Sequence, residues 1–271
     1  MRKEDLKRLA ENPDFISGIY NYCDRWCERC PFTARCLNYA FGRVSFPDAA
    51  SRDIQNERFW DQISGMLQLA IDLLHEMAEE DGIDLDAIDT TAIMAEEKRR
   101  RKDAAAHSIA TAAQAYGEMV DRWFEAGEDL FQKAAESFQT AARLNLLDVD
   151  PAQQANALAE AVQVVHWYQH QIWVKLMRAL EGRGAAAAFR LDDFPTDSDG
   201  SAKVALVGID RSMAVWGYLL RAFPERETES LEVLVHLERL RRDVAQAFPQ
   251  ARAFVRPGFD TPQAADAGCI D

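Results

Sequence analysis

"ALAEAVQVVHWYQHQIWVKLMRAL", residues 157–180, decides the fold class. It holds no proline or glycine. Leu158, Val162, Val165, Ile172, Leu176 and Leu180 recur at helical spacing and, at 100° per residue, gather on one face. Asp150-Pro151 supplies a cap and a first-turn proline ahead of it. "EGRG" at 181–184 reads as its stop.

The same kind of pattern extends outward in both directions. Toward the C-terminus, "LDDFPTDSDGS" (191–201) reads as a linker, and helices are expected over 202–223 and 225–248, parted by Pro224. Toward the N-terminus, Ile63, Leu67, Ala70, Ile71, Leu74 and Ala78 predict a helix over 53–80. Residues 91–144 contain no proline. Within them Ile109, Tyr116, Trp123 and Leu130 recur at a heptad spacing, with Ala113, Val120, Gly127 and Ala134 as a companion seam, a coiled-coil-like stripe. Unbroken, that helix would be ~80 Å long, so a break is expected at the charge run of 96–103. Asn12-Pro13 predicts a helix start whose face, Ile16, Ile19 and Tyr20, runs into a group of cysteines and meets Pro31. Strand patterns are nearly absent.

The expected fold is all-α, a multi-helix bundle of about six or seven helices with an N-terminal Cys-rich helical hairpin. The expected divisions are a metal-binding hairpin at 1–50, a helical bundle at 51–248 and an irregular tail at 249–271. A chain of 271 residues is long enough to bury a sizeable core with no metal staple.

Charge narrows the partners. Lys and Arg number 31 against 45 Asp and Glu, a net −14. That field disfavours nucleic acid and anionic membranes. The start, "MRKEDLKRLAENPDF", is mostly charged and resembles no signal peptide, and no apolar run approaches the ~20 residues of a spanning helix. The expected location is cytoplasmic, where clustered cysteines ligate metal or do redox chemistry more often than they form disulfides.

Four of the five cysteines fall in "NYCDRWCERCPFTARCLNY", residues 21–39. Cys23, Cys27, Cys30 and Cys36 are the candidate metal ligands; Cys269 stands alone in the tail. On one continuous helix the first three would share the face of Ile16, Ile19 and Tyr20. Buried core thiols would account for one or two of them, not for four so close together. Zinc draws its sulfurs to within ~3.8 Å of one another, whereas positions i and i+7 of a helix lie ~10 Å apart along the axis. A zinc site therefore needs the helix to open near Cys27–Cys30, which Pro31 favours. A [4Fe–4S] cluster holds its thiolates farther apart and suits these positions better than Zn2+. Trp26, Tyr22, Phe32 and Tyr39 could shield such a centre, and Arg25, Arg29 and Arg35 could offset its negative charge.

The spacing Cys23-x3-Cys27-x2-Cys30 is similar to that of radical-SAM enzymes over eight residues. Those enzymes carry the motif after the first strand of a β/α barrel, and this chain has neither the strands nor their three-cysteine limit.

A dinuclear iron site in a bundle needs Glu-x-x-His pairs, and none occurs. His166 and His170, at i and i+4, form the remaining candidate second site, on the flank of the apolar face of 157–180. Asp72/His75 and Glu232/His236 are the other near matches. The basic run Lys98–Lys102 reads as a solvated helix face with i,i+4 ion pairs. Whether the protein is an enzyme is open at this point. The expected role is structural or interactive, with a protein partner or self-association. An iron–sulfur redox or sensor protein and an oxidoreductase using His166/His170 are the alternatives.

Overall fold

Caps decide where the helices start and stop, and they divide the chain more finely than its apolar pattern does. The computed structural model describes residues 8–144, 150–189 and 196–260. Every described element is helical, with no strand among the described residues. Ten α-helical segments occur among them: α1 (residues 8–10), α2 (Leu37–Ser45), α3 (Ala49–Arg52), α4 (Glu57–Glu80), α5 (Thr90–Ala106), α6 (Ser108–Glu125), α7 (Glu128–Leu144), α8 (Pro151–Phe189), α9 (Asp197–Ala222) and α10 (Glu227–Ala247). None of the described helices is long and apolar enough to cross a membrane.

The count exceeds six or seven because 91–144 is cut twice where one break was expected, and because the short α1 and α3 add to it. The first cut is at His107, not within the charge run, which lies inside α5. Lys and Arg are good helix formers, and Arg99 pairs with Asp103 along the surface at 4.0 Å. His107 instead adopts an extended backbone, and its Nδ1 accepts the Ile109 N–H at 3.2 Å as the N-cap of α6. The second cut follows Ala126, which caps α6 just before Gly127. One expected break, conversely, is absent, and one is shorter at its C-terminal side than expected. α8 runs through "EGRG" to Phe189, and the second half of the expected linker starts α9. There Thr196 and Asp199 form a capping box.

The chain separates into two units. One runs to Glu97 and includes the segment from Val255; the other is Lys98–Phe254. These divisions differ from those at 50 and 248. α3 and α4 pack together, and Arg58 of α4 pairs with Asp48, the N-cap of α3, at 3.1 Å.

In the second unit α6 packs on α8 and α10, and α9 packs on the same two, so the four close a ring; α7 lies against α8. The heptad seam proves to be the core of this bundle, not a coiled coil: Ile109, Ala113, Tyr116, Val120 and Trp123 are buried. Trp216 donates from its indole N–H to the Tyr116 hydroxyl at 3.1 Å, and Trp123 donates to Ser230 Oγ at 3.1 Å. The two indoles meet edge to face, 5.1 Å apart. Glycine sets how closely α8 and α9 approach. A Cβ on Gly208 would lie 2.8 Å from Tyr168 Cδ1, and one on Gly182 would lie 2.5 Å from Ser198 Oγ. "EGRG" is thus a crossing point of two helices.

Gly208→Ala should lower stability by about 1–3 kcal/mol in a denaturant titration, because the Tyr168 ring has no room to give. Gly65→Ala, in α4 with nothing within 4 Å, should raise it by about 0.5–1 kcal/mol. Burial holds the Tyr116 phenol at about 12, with the hydrogen bond from the Trp216 indole offsetting part of the rise. The unfolded chain loses that proton near pH 10, while the native state keeps it. Stability should therefore fall by about 1.4 kcal/mol per pH unit between pH 10 and 12, and Tyr116→Phe should lack that part of the slope.

Candidate metal centre

The expected hairpin of two helices does not form around the cysteines. Residues 11–36 are a succession of turns, with 3-10 turns at Ile19–Asn21, Cys27–Arg29 and Thr33–Arg35. Local polar groups account for this. Asn12 Oδ1 takes the Asp14 N–H at 3.0 Å, closing an Asx turn where a helix start was expected. Gly18 has φ +73° and Arg25 φ +60°, both in the left-handed region that an α-helix excludes. Pro31 keeps Cys30 extended, at ψ 123°. Cys23, Cys27 and Cys30 consequently do not share one helix face.

The segment closes on itself instead. The Ile16 N–H donates to the Arg35 carbonyl at 3.0 Å, and Arg35 Nε donates to the Asp14 carbonyl at 3.3 Å. Cys36 is the N-cap residue of α2. With its ends tied, the segment brings all four candidate cysteines onto the wall of one cavity of about 20 Å³. All four are free thiols and all are partly exposed. A cavity of this size exceeds what one water molecule needs, so the thiols do not fill a close-packed core. No group of three or more His, Cys, Asp or Glu among the described residues is placed to hold a metal ion. The four thiols share the lining of one cavity.

The surroundings of Cys27 and Cys30 favour the neutral thiol over the thiolate. Burial pushes the Cys27 thiol up, and the neighbouring Cys23, Cys30 and Cys36 push it further. Burial also raises Cys30, against a hydrogen bond from the Phe32 backbone. Thiolates crowded this way repel one another, and a bound metal reverses that balance.

Of the aromatic residues read from the sequence, Trp26 and Tyr39 line the cavity. Arg29 lies over the Trp26 ring, 4.1 Å from its centroid. The wall also includes Phe259, from the other end of the chain. Sequence reasoning missed it; the only local sign was the turn pair Pro257-Gly258 beside an aromatic residue. Cys269 lies outside the described residues.

His166 and His170 are both exposed on α8. His166 donates from Nδ1 to Gln169 Oε1 at 3.3 Å and lies on Phe124, ring centroids 4.5 Å apart. His170 lines a separate cavity of about 320 Å³ with Gly117, Glu118, Asp121 and Trp173. Among the described residues, the two histidines gain no third metal ligand. His236 Nε2 donates to the Ala112 carbonyl at 2.7 Å across the α6–α10 border.

No family model, curated protein or solved structure matches this chain. Replacing His166 and His170 together with Ala should leave the metal content of the purified protein unchanged, measured by elemental analysis.

Proposed function

We propose that this is a metal-binding protein whose Cys23, Cys27, Cys30 and Cys36 hold one [4Fe–4S] cluster, and that the centre braces its unit for contact with a protein partner. The carrying observation is that four free thiols line one cavity in a segment built of turns. The compact run of four cysteines with its Cys30-Pro31 pair suits a cluster better than Zn2+, whose structural sites more often use two separated Cys-x-x-Cys pairs.

The structural role follows from what the unit lacks. Among the described residues up to Glu97, the buried hydrophobic side chains are Ile19 and Ala78 alone. The sequence-based expectation of a core that needs no staple fits the second unit and not this one. A four-thiolate centre supplies the missing cross-links, and metal binding then contributes directly to folding. When bound, a cluster also supplies one-electron redox chemistry. The partial exposure of all four thiols favours a redox or sensor role as the second reading.

The partner surface is not the heptad stripe, which the bundle buries. α4 instead leaves Trp60, Leu67, Ile71 and Leu74 exposed along one face. A face of this kind supports a protein partner or self-association. A reducing compartment, the cytoplasm, completes the reading.

Protein purified without oxygen should be brown and carry iron and labile sulfide in equal amounts. A colourless protein with one zinc per chain would overturn the cluster, and a metal-free one would overturn the centre. Metal removal should make residues up to Glu97 sensitive to limited proteolysis while Lys98–Phe254 stays resistant.

A further inference from the structure

The chain returns to its cysteines at its other end. Residues 255–260 belong to the same unit as the cysteine segment. Phe259 stands on the cavity wall with the four thiols and meets Phe32 edge to face, 5.1 Å between centroids. Gly258 has φ +79°, and a Cβ there would come within 2.9 Å of Ile19 Cδ1 and 3.0 Å of Ile16 Cδ1. The backbone thus lies directly on Ile19, a buried hydrophobic residue in a unit that has few.

The turn holds its own shape. Arg256 donates from its backbone N–H and from Nε to Asp260 Oδ2, at 2.9 and 3.1 Å, and from Nη2 to Oδ1 at 2.9 Å. Its guanidinium also lies over the Phe259 ring, 5.0 Å from the centroid. The two charged side chains are 15% and 22% exposed, so this pair is shielded from the screening that weakens surface ion pairs.

We propose that residues 256–260 are a strap forming the outer wall of the cysteine site, with Phe259 as the gate residue that limits access to the thiols and whatever they hold. Displacement of the strap then exposes the centre. This rests on the reading of the cysteines as a metal centre, but control of thiol access stands apart from it. Phe259 excludes solvent through its ring, an apolar shell of the kind that governs entry to metal sites. Gly258 lets the strap sit close enough for the ring to reach the cavity.

Two rates test the proposal on the full-length protein: transfer of the bound metal to excess EDTA, and alkylation of the reduced, metal-free thiols by iodoacetamide, followed residue by residue by mass spectrometry. Phe259→Ala and Gly258→Ala should each speed both by about tenfold. Phe259→Leu, which keeps an apolar wall, should restore near-native rates, a rescue that a general loss of folding would not give. Val235→Ala, in α10 of the other unit, should change neither. Native rates in both Phe259→Ala and Gly258→Ala would overturn the strap. A protein without metal would overturn the centre alone, and alkylation would then decide the role of Phe259.

Discussion

An ordered segment must offset the conformational entropy of its backbone, and residues 8–97 bury almost no apolar side chain with which to do so. This constraint organises the first unit. Short turns replace long helices around the cysteines, and backbone hydrogen bonds tie Ile16 to Arg35. The far end of the chain returns to cover Ile19. Each device fixes chain without a large core, and the four thiols stand where a metal would fix it most.

The second unit solves the same problem in the opposite way. Tyr116, Trp123, Tyr168 and Trp216 are fully enclosed, and the indole N–H groups of both tryptophans are satisfied by side-chain oxygens of other helices. Large aromatic residues bring much apolar area, and their polar atoms cost little once paired. The close approach at Gly208 and Gly182 lets α8 and α9 share that core. One chain therefore joins a bundle held by packing to a turn-rich unit that lacks packing.

Much of the bundle was legible because its apolar residues repeat at the helical period. On α6 the predicted Ile109, Ala113, Tyr116, Val120 and Trp123 are buried, and on α8 so are Leu158, Val165, Ile172 and Leu176, while Val162 and Leu180 are only half-buried and Tyr168 joins the core unpredicted. The ends of the helices were not, since caps depend on single polar groups whose partners the pattern does not reveal. No apolar period marks His107 as a helix start, yet its ring nitrogen caps α6. "EGRG" looked like a stop because glycine usually weakens helices, whereas here it admits a neighbouring helix. Around the cysteines a helical period was present, but Asn12, Gly18, Arg25 and Pro31 each favoured a turn, and together they outweighed it.

By itself, the sequence determined that the protein is helical, which apolar residues of α6 and α8 recur at helical spacing and which four cysteines form a group. All of these are properties of composition and short-range spacing. Tertiary structure alone decided that the four thiols face one cavity, that the heptad stripe is buried, and that Phe259 closes the cysteine wall. Those are contacts between residues far apart along the chain. No local period encodes them, because they arise only when the chain folds back and two distant surfaces exclude water from each other.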